Sequence, residues 1–192
     1  MSDFPLHTAE TAADAGGKAL ERAEQGFGFA PNLIRVLAEA PSAAHAYLDL
    51  GSRFGETSLS PVEQQVVLLT TSFENGCDYC MAAHSMVAGM AGMDGPTLTA
   101  LRSGDSLPDA RLEALRSFTR TVVRDRARVS PEGVRAFLAA GFTRANVLEV
   151  ITGVAMKTLS NYTNHLADTP LDEAFADQRW EAPVKSGAAA GS

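Results

Sequence analysis

The chain has 192 residues, enough for one compact domain with a sizeable core, and its 45% hydrophobic and 20% charged residues exclude extensive disorder. A net charge of -7, a pI of about 5.1 and the lack of a dense Lys/Arg cluster repel phosphate backbones, which excludes nucleic acid as a partner. No apolar run reaches the roughly 18 residues that span a bilayer, so no membrane is expected.

Helical periodicity dominates, and no segment alternates apolar and polar residues with period two, so the fold class expected is all-α. Residues 8–25, "TAETAADAGGKALERAEQ", read as a weak surface helix interrupted by a Gly pair and leading into the turn "GFGFAPN". Pro31 opens a short helix to about Ala40, and Pro41 opens another with Gly51 near its end.

The next helix is better marked. In "SLSPVEQQVVLLTTSFENG", Ser60 is an N-cap, Pro61 sits at the first helical position and Glu63 completes an S-x-x-E capping box. Asn75-Gly76 breaks that helix, and a new one runs from Cys77 to about Ala91 before the turn "GMDGP". Downstream, "PDARLEALRSFTRTVVRDRA", "SPEGVRAFLAAG" and "TRANVLEVITGVAMKTLSNYTNHLAD" each place apolar residues at helical spacing, for about eight helices in all. A single domain over residues 1–180 and a flexible tail over 181–192 are expected.

The N-terminal "MSDFPLHTAE" lacks the basic start and apolar core of a signal peptide, so a cytoplasmic location is expected. In a reducing compartment the two cysteines of the chain are metal-binding, catalytic or inert rather than a structural staple. They fall in "ENGCDYCMAAHSM" as Cys77 and Cys80, followed by His84.

At about 100° per residue the three side chains share an arc of about 60° on one helix face. Cys80 and His84 are an i,i+4 pair, about 5–6 Å apart at Cβ, close enough for an imidazole to accept a thiol proton. The positive end of the helix dipole also favours thiolate, most strongly at Cys77, nearer the helix start. The dipole therefore favours Cys77 as nucleophile and the histidine favours Cys80, and the residues alone leave both open.

Zinc is the competing chemistry, since two cysteines and a histidine supply three ligands. A structural site needs four, and His165, His45 and His7 offer no telling spacing. No metal or cofactor is therefore expected. The inert alternative is two buried cysteines and a core histidine.

This stretch resembles the AhpD-like alkylhydroperoxidase branch of the carboxymuconolactone decarboxylase family, whose hallmark is C-x-x-C-x-x-x-H on the helix after a capped helix. The likeness runs back through "SLSPVEQQVVLLTTSFENGCDYC" and more loosely over about residues 25–170. It implies an AhpD-like all-α bundle assembled as a trimer or hexamer. It also implies reduction of organic hydroperoxides through a dithiol–disulfide cycle, recycled by an external thiol or dithiol reductant.

By position, the resemblance makes Cys80 the attacking thiol, Cys77 the resolving thiol and His84 the base. Two departures stand out. Gln65 occupies the position twelve residues before Cys77 where the family often has a proton-relay glutamate, and a glutamine orients an imidazole but accepts no proton. Tyr79 lies between the cysteines where some members have a histidine, and is expected to pack or donate a hydrogen bond. Glu63, Glu74 and His165 are the candidates to replace the missing acid, with capping, solvation and a structural role as their respective alternatives. His165 also forms an i,i+4 pair with Asn161 that could line a pocket. The family's lactone decarboxylase activity has no need of a C-x-x-C pair, and a non-enzymatic redox or zinc-sensing module is the third reading.

Overall fold

The computed structural model describes residues 3–183. The tail expected from residue 181 lies, from residue 184 onward, outside the described residues. Among those described there are nine α-helices, one 3₁₀ helix and no strand, and the all-α class is borne out.

In order they are α1 (Asp14–Phe27), α2 (Asn32–Leu37), α3 (Pro41–Gly55), α4 (Pro61–Asn75) and α5 (Asp78–Met90). Then follow α6 (Gly95–Ser103), α7 (Ala110–Arg124), α8 (Pro131–Ala139), α9 (Arg144–Ala167) and the 3₁₀ helix Glu173–Gln178. No single described helix is long and apolar enough to cross a membrane.

Two boundaries differ from expectation. The first helix starts at Asp14 rather than near residue 8, because Thr8 and Thr11 close a local turn: Thr8 N–H donates to Thr11 Oγ1 at 2.8 Å and Ala12 N–H to the Thr8 carbonyl at 3.0 Å. Side chains of this kind compete with the helix for backbone groups. The segment "GMDGP" is also more than a turn. Asp94 caps a helix by accepting from Thr97 N–H at 2.8 Å, and Gly95 and Pro96 are its first residues.

The capping box of α4 forms as the sequence implies. Ser60 Oγ accepts from Glu63 N–H at 3.3 Å, and Glu63 Oε2 accepts from Ser60 N–H at 2.8 Å. At the other end Gly76 takes φ 67°, a conformation costly for a residue with Cβ, and turns the chain into α5.

Helix α4 is the axis of the fold. It packs against α5, α7 and α9, and its residues from Gln65 to Ser72 are all buried. A helix apolar on every side can only be a central one, and "VVLLTT" supplies small and branched side chains that let three neighbours close on it. Gly153 in α9 permits the nearest of these approaches, since a Cβ there would lie 2.8 Å from Phe54 and Val67. The Gly pair expected to weaken α1 contains a similar device: a Cβ on Gly16 would come within 2.7 Å of the Ala38 carbonyl. Helices α5 and α9 thereby flank α4, and the site forms between them.

Candidate active site

Cys77 is the N-cap residue of α5, one position before the helix proper, with φ -93° and ψ 101°. Its N–H donates to the Ser72 carbonyl at the end of α4 and its own carbonyl accepts from Met81 N–H, both at 3.0 Å. The Asn75-Gly76 break therefore fixes the direction in which α5 leaves, and with it the position of both sulfurs. Both thiols are free and buried, with Cys77 0% and Cys80 1% exposed.

Opposite them, α9 presents a polar stripe into the interior. Lys157, Ser160, Asn161 and Asn164 are all buried, and their i, i+3, i+4 and i+7 spacing puts them on one face. Asn164 Nδ2 donates to Cys80 Sγ at 3.3 Å and to Cys77 Sγ at 3.6 Å. Ser160 Oγ lies 3.7 Å from Cys80 Sγ. Lys157 is 0% exposed, and its ammonium donates to His84 Nε2 at 3.0 Å, close enough for its charge to act on Cys80.

This arrangement differs from the direct Cys80–His84 pairing expected from the i,i+4 spacing. The bonding partners of the His84 ring are Gln65 and Lys157, and neither is Cys80. An ammonium has no lone pair, so His84 Nε2 is the acceptor and Nδ1 carries the ring proton, which it donates to Gln65 Oε1 at 3.0 Å.

The electrostatics separate the two thiols. The hydrogen bond that Cys77 makes to Cys80 pushes the Cys77 thiol far above its ordinary value, with burial adding to the effect. Burial alone would raise Cys80 too. The Cys77 hydrogen bond, the Lys157 charge and the donors Lys157 and Ser160 outweigh it and hold Cys80 well below the ordinary range. Cys80 is thus the more acidic of the two thiols. The helix dipole, which favoured Cys77, is opposed by the Cys77 hydrogen bond and the Lys157 charge, both of which act on Cys80. Burial, aided by the Lys157 charge, holds His84 well below 6.5, so the ring is neutral. Burial opposes the Lys157 charge, but the negative Cys80, with Tyr47 and Cys77, keeps its pKa raised.

A pocket of about 320 Å³ adjoins the site. Its wall includes Phe29, Tyr47, Tyr79, His84, Met86 and Phe175, and it is mostly apolar. Tyr79 and Phe29 both pack on Phe175, edge-on at 6.0 Å and tilted at 5.8 Å between centroids. Tyr79 O–H donates to Asp172 Oδ2 at 2.5 Å and accepts from Leu33 N–H at 3.3 Å. Asp172 also accepts from Asn32 N–H, so Tyr79 ties α5 to the start of α2. Its expected role of packing and donating a hydrogen bond is what the geometry gives.

The acids proposed to replace the missing glutamate are committed elsewhere. Glu63 caps α4 and pairs with Arg111 at 2.9 Å, while Glu74 pairs with Arg120 and Arg124. His165 is exposed, and Asn161 bridges α9 to α4 by accepting from Asn75 Nδ2 at 2.9 Å, so within its own chain that pair stands apart from the pocket wall. Among the described residues no three His, Cys, Asp or Glu side chains gather as a metal site. His7 instead bonds Glu39, and His45 bonds the Ala15 carbonyl.

A helical bundle carrying a C-x-x-C dithiol against its central helix defines an AhpD-like fold. Residues 41–117, from α3 into α7, match the model of the carboxymuconolactone decarboxylase family, which bears out the likeness read from the motif. No curated protein matches the chain.

Among solved structures, the chain is similar to an alkylhydroperoxidase AhpD core, an uncharacterized peroxidase-related protein from Ralstonia eutropha JMP134. The TM-score is 0.80 at 20% identity, covering 91% of this chain and 94% of that one. A peroxidase-related protein from Silicibacter sp. TM1040 superposes with a TM-score of 0.77 at 19% identity, covering 90% and 92%. The debrominase Bmp8 in complex with 2,3,4-tribromopyrrole gives 0.76 at 16% identity, covering 93% and 96%.

Proposed function

We propose that the protein is a thiol-dependent hydroperoxide reductase working through Cys80 and Cys77. The observation that carries this reading is the placement of two buried sulfurs at the start of α5, both reached by the Asn164 amide and beside a pocket that His84 lines, in surroundings that lower the Cys80 thiol and raise that of Cys77. Peroxide reduction needs that division of labour, a nucleophile first and a resolving thiol second.

The Cys80 thiolate attacks the outer oxygen of R–O–O–H. A sulfur–oxygen bond forms, the oxygen–oxygen bond breaks, and the alkoxide leaves as alcohol once protonated. Cys77 then displaces the hydroxyl of the Cys80 sulfenic acid as water, leaving a disulfide that an external thiol or dithiol reduces. His84, on the pocket wall, is placed beside the dithiol but bonds Lys157 through Nε2, so it positions that ammonium rather than taking the Cys80 proton itself, while Gln65 fixes its tautomer. The apolar pocket favours an organic hydroperoxide over hydrogen peroxide.

Consumption of tert-butyl hydroperoxide with dithiothreitol as reductant tests the reading. Wild type turns over and Cys80→Ser is inactive, while Cys77→Ser treated with peroxide before any reductant is added forms one sulfenic acid per chain, on Cys80. Turnover by Cys80→Ser at the wild-type rate overturns it.

The same thiolate and aromatic pocket also suit reductive debromination, the second reading. The sulfur takes a bromine from an aryl carbon that gains a proton, and Cys77 expels bromide as the disulfide forms. Bromide release from 2,3,4-tribromopyrrole decides between them. The trimer or hexamer implied by the family likeness is supported by exposed Leu148, Ile151, Tyr162 and Leu166 on α9, and light scattering tests it.

A further inference from the structure

We propose that Lys157 is the proton carrier of the dithiol cycle: its ammonium holds Cys80 as a thiolate and then protonates the oxygen that leaves. The lysine is fully buried on α9, its Nζ donates to His84 Nε2 at 3.0 Å, and it shares the α9 face of Ser160 and Asn164, whose side chains lie 3.7 and 3.3 Å from Cys80 Sγ. A buried ammonium is costly unless it is paired and bonded, and the negative charge within its reach is the Cys80 sulfur.

The titratable groups facing it are Tyr47 from α3 and Cys77, Cys80 and His84 from α5, while α4 contributes the neutral Gln65 through His84. A neutral His84 with its Nε2 lone pair already occupied is not free to serve as the base. Lys157 is therefore the cationic group beside the dithiol that has a proton to give, while the proton of Cys77 is needed for the second step. Gln65 in place of an acid fits this division, because the lysine supplies what the acid would otherwise supply.

The cycle balances with this residue alone as carrier. In the first step the Cys80 thiolate gives two electrons to the peroxide and Lys157 gives one proton to the alkoxide, leaving sulfenic acid, alcohol and a neutral amine. The amine then takes the proton of Cys77. As the Cys77 thiolate forms the disulfide, the departing hydroxide recovers that proton as water. Reduction by external dithiol restores the thiolate and ammonium.

The chemistry of the cycle rests on the peroxidase reading, whereas the thiolate itself is measurable without any substrate. Thiolate absorbance near 240 nm, followed from pH 4 to 10, is expected to persist below pH 7 in the wild type. In Lys157→Met its midpoint should move to the ordinary thiol range of about 8.5, and Lys157→Arg should restore the low midpoint. Circular dichroism of each variant reports folding, and Lys157→Gln provides a second neutral replacement.

In the peroxide assay Lys157→Met should lose at least a hundredfold in kcat/KM. The arginine variant should keep the thiolate but transfer the proton poorly, so kcat falls at unchanged thiolate content. Wild-type thiolate titration in both folded neutral variants overturns the proposal, whatever the substrate. A shifted titration in a protein that consumes no peroxide sustains the Lys157–Cys80 pairing and overturns the peroxidase reading instead.

Discussion

His84 Nδ1–H donates to Gln65 Oε1 across 3.0 Å, and that bond needs no acid. A glutamate in this place would draw charge onto the imidazole. A glutamine instead fixes the tautomer and leaves the ring neutral, with Nε2 turned to Lys157. The substitution that looked like a gap in the relay is consistent with a site in which the mobile proton sits on a lysine.

Replacing Gln65 tests that relationship. Gln65→Ala removes one hydrogen bond, worth about 1 kcal/mol, and should lower kcat/KM about tenfold by freeing the ring. Gln65→Glu should raise the His84 pKa toward or past its ordinary 6.5 by adding a negative charge at contact distance. Histidine ring resonances followed by NMR against pH give the answer, and an unshifted titration in Gln65→Glu would contradict the geometry.

Stability should fall as the solution is acidified. Between 6.5 and the lower native value, the unfolded chain binds a proton at His84 that the folded chain does not, so folding weakens as pH drops through this window. Cys80 acts with the same sign below 9.0, because its native value is also depressed. Lys157, raised above 10.5, acts oppositely and only in alkali. Urea midpoints should therefore decline steadily from pH 8 to 5.5, and His84→Gln should flatten the part below 6.5. A wild-type midpoint unchanged over that part would show that His84 is not buried neutral.

Glu63 and Glu74 should prove structural. Glu63→Gln weakens the capping box and the Arg111 pair and is expected to cost about 1 kcal/mol in urea unfolding. Peroxide turnover should stay within twofold of wild type for Glu63→Gln and Glu74→Gln. A tenfold loss in either, with folding intact, would return that acid to the relay.

The contact at Gly153 predicts a cost far from the chemistry. Gly153→Ala gains helix propensity but drives a methyl to 2.8 Å from Phe54 and Val67. Overpacking of this kind costs about 1–3 kcal/mol, so the thermal midpoint should drop. An unchanged midpoint would mean that α9 and α4 separate freely.

Much of the scaffold was legible because its signals are local. The capping box at Ser60 and Glu63, the Asn75-Gly76 break and the common face of Cys77, Cys80 and His84 depend on residues a few positions apart. Where local signals conflicted, the reading slipped. Thr8 and Thr11 delayed α1, and the Gly-Pro opening concealed α6.

The stripe of Lys157, Ser160, Asn161 and Asn164 had a signal of its own, polar residues at i, i+3, i+4 and i+7 within a helix flanked by apolar ones. On an isolated helix that pattern marks the solvated face, so spacing alone does not place Lys157, Ser160 and Asn164 beside the sulfurs. His165, paired by spacing with Asn161, is exposed, one position beyond Asn164, whose amide donates to both cysteines.

The sequence by itself determined that this chain is helical, that its dithiol stands at a helix start and that a histidine shares its face, because helix geometry follows from spacing alone. Which cysteine has the surroundings that favour a thiolate was legible only in the tertiary structure. A lysine some eighty residues away is brought near Cys80 by the packing of α9 against α4, and its charge, together with the Cys77 hydrogen bond, outweighs the desolvation of the sulfur.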